Sequence, residues 1–189
     1  MFERFAPDSK RAVAAALEIA KRLGAEHVEP EHLLLALAPA GGGPSAEGSS
    51  GGEPAGSVGG MPAWLGDGSA GPAARALAEA GLDAAAIEQA IEQDLVAALE
   101  TVGVPPSVVA STPALPRVDR PGFSAPAKQA LEQALQHAVR RGERRLGGEH
   151  VLLGLIDPPA VSVGRVLMRL DVEPQRLAEL VQVEMAASG

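Results

Sequence analysis

The sequence has no cysteine and no tyrosine, and only one tryptophan and three phenylalanines among 189 residues. Without cysteine there is no disulfide, no thiol nucleophile and no thiolate-bound metal. So few aromatics, set against abundant Ala and Leu, suit close-packed helices better than sheets. A long basic run is also missing, and the formal net charge is -8. Neither nucleic acid nor an anionic membrane is therefore expected as the main partner. No apolar run approaches the roughly 20 residues that span a bilayer. The first eleven residues carry Glu3, Arg4, Asp8, Lys10 and Arg11, which is not the pattern of a signal peptide. A soluble cytoplasmic protein is the expectation.

Lysine is scarce as well. Lys10, Lys21 and Lys128 all fall outside the Gly-x4-Gly-Lys-Ser/Thr pattern that cradles a nucleotide phosphate. Neither a Gly-x-Ser-x-Gly elbow nor a Ser-His-Asp arrangement is visible. The histidines are His27, His32, His137 and His150, with no His-Glu-x-x-His among them. The chain therefore reads as non-enzymatic, with no catalytic residue, no metal and no cofactor expected.

What the sequence does contain is a repeat. Glu31-His32-Leu33-Leu34-Leu35-Ala36-Leu37 returns as Glu149-His150-Val151-Leu152-Leu153-Gly154-Leu155, 118 positions later. Each copy follows a Phe (Phe5, Phe123), a helical stretch and a Gly-containing turn. Further on, Arg75, Leu77, Leu82 and Ile87 match Arg165, Leu167, Val172 and Leu177 at an offset of 90. The first copy thus carries 28 extra residues, and that surplus falls in a Gly/Ser/Pro-rich stretch.

Helical spacing predicts helices over 8–23, from Pro30 through the Leu run, over 73–80 and over 84–99. In the second half it predicts them from Ser124 to about Arg141, from Glu149 to Ile156, over 161–170 and over 174–185. Val13, Ala16, Leu17, Ala20 and Leu23 recur at helical spacing on one face of the first helix. Leu131, Leu135, Ala138 and Val139 give its counterpart an apolar face. Asp83 and Ser124 are suited to N-caps, and Gly24 and Gly142 to helix ends. The expected fold is all-α: two pseudo-symmetric four-helix repeats packed as one helical domain. The first spans 1–100 and is interrupted by a flexible insertion over 39–72. A Pro-rich linker covers 101–122, and the second repeat covers 123–185. Met61, Trp64 and Leu65 are the substantial apolar residues of the insertion, expected to dock back on the domain or to lie in plain disorder.

These residues resemble a known family. Met1-Phe2-Glu3-Arg4-Phe5, Arg22-Leu23-Gly24 and the first Glu-His motif resemble the amino-terminal domain of ClpC-type chaperones. Phe123-Ser124 and Gly148 through Leu155 resemble that domain's second repeat. The resemblance implies a protein-binding module that receives substrates and adaptors for the Clp ATPase and protease. It also implies an alternative, in which the domain sequesters cyclic-peptide antibiotics directed at ClpC. The implied ligand face comprises Phe2 and Val13 from the first copy and Phe123, Lys128, Leu131, Glu132 and Leu135 from the second.

Glu31 and Glu149 match glutamates that in some relatives hold the guanidinium of phosphorylated arginine, a planar donor that a carboxylate pairs well with. The family's Thr after the Phe is Ala6 in one copy and Ser124 in the other. Its Arg two positions on is Asp8 and Pro126. The first copy has lost a hydroxyl and gained a negative charge, so the expected phosphoarginine site is Ser124 with Glu149. From the residues alone, both glutamates also suit the positive end of a helix. His32 and His150 are expected to orient or pack at the start of a buried helix. Arg140, Arg141, Arg144 and Arg145 form a dense basic patch, suited to a solvated helix end or to an acidic partner.

Overall fold

The computed structural model describes residues 5–39, 71–101, 103 and 121–188. Phe2, Met61, Trp64 and Leu65 lie outside the described residues. Eight helices and two short strands are present among them. In the first repeat α1 is Pro7–Arg22, β1 is His27–Val28, α2 is Pro30–Leu37, α3 is Pro72–Glu79 and α4 is Ala84–Thr101. In the second β2 is Gly122–Phe123, α5 is Ala125–Arg140, α6 is Gly148–Ile156, α7 is Val161–Arg169 and α8 is Pro174–Ala187. No helix of the described residues is long and apolar enough to cross a membrane.

Local chemistry sets the helix ends. Proline opens α1, α2, α3 and α8, where an N–H has no intrahelical acceptor to lose. Ser124 Oγ accepts the Ala127 N–H at 3.2 Å, and Asp83 Oδ1 accepts the Ala86 N–H at 2.7 Å. Gly24 and Gly142 follow α1 and α5 with φ of +69° and +72°, a left-handed conformation that favours glycine.

The repeat is visible in the hydrogen bonds. Ser124 N–H donates to Val28 O at 3.1 Å, and Ala6 N–H donates to Leu146 O at 2.9 Å. These are the same bond in the two copies, and each crosses from one repeat to the other. β1 and β2 pair in parallel, Val28 opposite Phe123, and Phe5 bridges Leu146 in the same way. The third helices are exchanged: α3 packs on α6 and α8, while α7 packs on α2 and α4. Matching ion pairs mark the exchange, Arg75 to Glu184 at 3.2 Å and Arg165 to Asp94 at 3.0 Å.

The centre is built from α2 and α6. Leu33, Leu34 and Leu35 are buried in one, and Val151 through Ile156 in the other. Each fully buried Leu or Ile contributes about 1.5–3 kcal/mol relative to exposure. α6 lies very close to α5, because the inner face of α5 is Ala127, Ala130, Ala134 and Ala138. At the crossing, a Cβ on Gly154 would run into the Ala130 carbonyl oxygen and sit 2.6 Å from the Ala134 nitrogen.

Several sequence expectations need correction. Gly122, assigned to the linker, belongs to one of the two short strands that accompany the helices. The linker also loses Thr101 to the end of α4, and α3 starts at Pro72, inside the expected insertion. Leu135 and Val139 do not face the core: they are 39% and 60% exposed, because the Ala stripe faces inward instead. Leu23 and Leu95 are likewise exposed, at 48% and 55%. The second half of α4 extends past the helices that bury its first half at Ala84, Ile87 and Ala90.

Candidate functional site

Two kinds of site are on the surface of this fold: the starts of the two buried helices, and the outer face of α5. At each buried start a histidine sits three residues after the cap. Glu29 N–H donates to His32 Nδ1 at 3.0 Å, and Gly147 N–H to His150 Nδ1 at 3.1 Å. This is the returning half of a capping box, with imidazole in the place usually taken by Glu or Gln. The expected orienting role of the two histidines is thereby given a geometry.

The copies then diverge. Around His150, Glu149 Oε1 lies 3.1 Å from Nδ1 and Glu143 Oε2 lies 3.4 Å from Nε2. Arg141 Nε lies 3.1 Å from Glu143 Oε1. Glu143, Glu149 and His150 are close enough together to suggest a metal. The two carboxylates, however, lie at opposite nitrogens of the ring, and Nδ1 is already taken by the Gly147 N–H, so they do not converge with one free ring nitrogen on a common point. Burial pushes the Glu149 carboxyl up, but hydrogen bonds from His150 and from its own backbone, with the charges of His150 and Arg141, bring it below its ordinary value. Asp8 Oδ2 accepts the Gly148 N–H at 2.8 Å, so a carboxylate of the chain already occupies the positive end of α6.

In the first copy the counterparts of Arg141 and Glu143 are Leu23 and Ala25, and the counterpart of Gly148 is Pro30, which has no N–H. Glu31 Oε2 is buried without a hydrogen-bond partner. Ser124 belongs to this end of the molecule, since its N–H bonds to Val28. The sequence reading that joined Ser124 with Glu149 is therefore regrouped: Ser124 sits at the Glu31 end, while Asp8 is at the Glu149 end.

Phe123, just before α5, and Leu131 within it are half-buried and packed against the core. Lys128, Glu132 and Leu135 are exposed around them. Val13, expected on the same face, is instead buried at 6% exposure. Phe2 lies outside the described residues.

The caps carry a prediction for pH. Burial depresses His32 below its ordinary value of 6.5, against the opposing pull of Glu31 and Glu29. The unfolded chain therefore binds that proton more tightly than the folded one. The stability His32 contributes is complete above the unfolded pKa and is lost as pH falls toward the folded value. Glu149, also depressed, contributes in the same direction at lower pH: its share is present above the unfolded carboxylate pKa and lost on acidification through the folded one. The melting temperature is expected to fall between about pH 7.5 and 5.5. In His32→Gln, whose amide oxygen can still accept the Glu29 N–H, that part of the fall should shrink. An unchanged pH profile in the variant would show that His32 is not its source.

Residues 122–187 match the family model described as the Clp repeat (R) N-terminal domain. An uncharacterised protein of Mycobacterium tuberculosis is 27% identical over 156 residues, 82% of this chain and 44% of its own length. The chain thus spans less than half of that relative. The chaperone protein ClpB of Oceanobacillus iheyensis is 27% identical over 181 residues, which is 96% of this chain and 17% of ClpB. Among solved structures, the N-terminal domain of the chaperone ClpD from Arabidopsis thaliana superposes with a TM-score of 0.61 at 19% identity, covering 98% of this chain and 99% of that one. The Hsp104 N-terminal domain of Candida albicans gives 0.61 at 16% identity, covering 99% and 94%. Residues 122–187 thus match the Clp repeat, and the chain as a whole has the fold of the ClpD and Hsp104 amino-terminal domains.

Proposed function

We propose that this chain is a non-enzymatic protein-binding module of the Clp protease system, engaging substrates, adaptors or the ATPase and protease components in the cytoplasm. The observation that carries this is the α5 face. Phe123 and Leu131 are fixed against the core, Leu135 is left partly open, and Lys128 and Glu132 flank them one turn apart. An apolar centre with a charged rim is the composition of a protein contact. The carboxylate ends supply a second contact. Glu149 is engaged by His150, and its helix end by Asp8, so Glu31, with Ser124 nearby, is the glutamate that remains open to a guanidinium.

The same face also supports the second reading, sequestration of ClpC-directed cyclic peptides, because a half-buried Phe at the end of β2 and a half-buried Leu on α5 offer apolar area at little ordering cost. One experiment addresses both. The protein is added in excess to a reconstituted ClpC–ClpP degradation reaction, with and without a ClpC-directed cyclic peptide. A changed degradation rate that reverts in Leu135→Asp is the expected result. An effect of the protein seen only when the cyclic peptide is present favours sequestration. If neither rate responds, or if Leu135→Asp acts as the wild type does, the α5 face is not the contact.

A further inference from the structure

Comparison of the two repeats, position by position, isolates a groove beside that face. Gln129, Glu132, Gln133, Gln136, His137 and Arg140 of α5 line a cavity of about 320 Å³, completed by Asp157 and Pro158. Gln133 Oε1 is buried there without a hydrogen-bond partner. A buried acceptor left unpaired is destabilising. His137 Nε2 lies 3.3 Å from the Asp157 carbonyl oxygen and 3.9 Å from its carboxylate.

The first repeat shows what the fold alone requires at these positions. The counterparts of Glu132, Gln133 and His137 are Ala14, Ala15 and Ile19. Ala15 and Ile19 are buried core residues at 1% and 3% exposure. Packing is thus satisfied by Ala and Ile, and the second copy has polar side chains, one of them unsatisfied, where the architecture does not need them. A ligand that donates to Gln133 Oε1 removes the penalty.

The remaining groups narrow the chemistry. Each of the three glutamine carboxamides offers both donors and an acceptor, which matches the alternating N–H and C=O of a peptide backbone. Arg140 makes no ion pair with a described residue, and Arg144 and Arg145 follow closely in the chain. The Arg140 end of the groove is therefore cationic in a chain of net charge -8. From Glu132 to Arg140 the helix axis advances about 12 Å, the length of three to four extended residues at about 3.3 Å each.

We propose that this groove binds a short extended peptide segment, its backbone held by the glutamine carboxamides and a carboxylate of the peptide held by Arg140. That carboxylate is an Asp or Glu side chain or the free C-terminus of the peptide. The groove adjoins the Phe123–Leu135 contact, with Glu132 on the shared edge, and the proposal does not rest on that contact.

Fluorescence anisotropy on the whole chain at low salt tests this. The probes are an N-terminally labelled Gly-Ala-Asp-Glu peptide as free acid, the same peptide as C-terminal amide, and the amide of Gly-Ala-Asn-Gln. The free acid should bind, and the Asn-Gln amide should bind at least tenfold more weakly. An Asp-Glu amide that binds like the free acid assigns the contact to side chains; one that falls to the Asn-Gln level assigns it to the C-terminus. Gln133→Ala/His137→Ile installs the first-repeat residues and should weaken the free acid at least tenfold, with a melting temperature no lower than wild type. Arg140→Gln should weaken it equally. Failure of the free acid to bind, equal binding of all three probes, or undiminished binding in both variants overturns the proposal.

Discussion

Gly154→Val should cost the domain most of its stability. The side chain would enter the crossing of α5 and α6, where even the first carbon meets the Ala130 carbonyl oxygen and the Ala134 backbone. Those are backbone atoms of a helix, and they cannot rotate away as a side chain can. Relief requires α5 and α6 to separate, which opens the Ala stripe that joins them. Overpacking of an ordinary core site costs typically about 1–3 kcal/mol and occasionally more. With backbone on the far side, at least 3 kcal/mol is expected, out of a total of about 5–15 for a domain. Gly154→Ala should be intermediate. The counterpart in α2 is Ala36, which is buried there without difficulty. Ala36→Gly should therefore lose only about 1 kcal/mol, from helix propensity. Thermal melts of the three variants decide the matter. A wild-type melt for Gly154→Val would mean that the two helices are not held at this distance.

The second large effect concerns Leu34 and its counterpart Leu152, both fully buried in the central helices. Truncation of either to Ala should cost about 2–5 kcal/mol, the lost transfer energy plus the cavity. The more informative expectation is the shape of the transition. Since α3 lies on the second repeat and α7 on the first, neither repeat can unfold without uncovering the other. Both variants should show one cooperative transition, displaced to lower temperature, with all helices lost together. Two separated transitions in either variant would show the repeats to be independent and the exchange of helices to be energetically unimportant.

Much of this architecture was legible in the chain because its signals are local. Asp83 and Ser124 cap by reaching three residues forward, and Gly24 and Gly142 end their helices through their own backbone angles. The repeat announced itself through an apolar run after Glu-His. What was not legible depends on distance or on choosing between two faces. β1 and β2 are two residues each, too short for any alternation to register. On α5 the spacing allowed either the Leu/Val stripe or the Ala stripe to face inward. The bare Gly154 of α6 settles it, since only small residues permit so close a crossing. At the candidate sites, Glu31, Glu149 and Ser124 could be picked out singly, but their grouping could not. Sequence position associates Ser124 with its own copy, whereas the strand pairing carries it to the other. The bond from Gly148 to Asp8 spans 140 positions and has no local signature.

The exchanged third helices make this domain, in the sense of mass action, a dimer whose protomers share one polypeptide. A chain of one repeat would leave the seat of its own third helix empty and would fill it from a second molecule, so its folded fraction would rise and fall with concentration. Covalent connection replaces that dependence with a fixed effective concentration, on the order of millimolar for a short flexible tether. Dilution then leaves the fold untouched. The duplication also frees the two copies from having to remain identical, as exact symmetry would demand of a homodimer. One end could close on Asp8 and Arg141 while the other left Glu31 Oε2 buried without a hydrogen-bond partner, and Gln133 could diverge from Ala15 without imposing the same orphaned amide on both sides of the molecule.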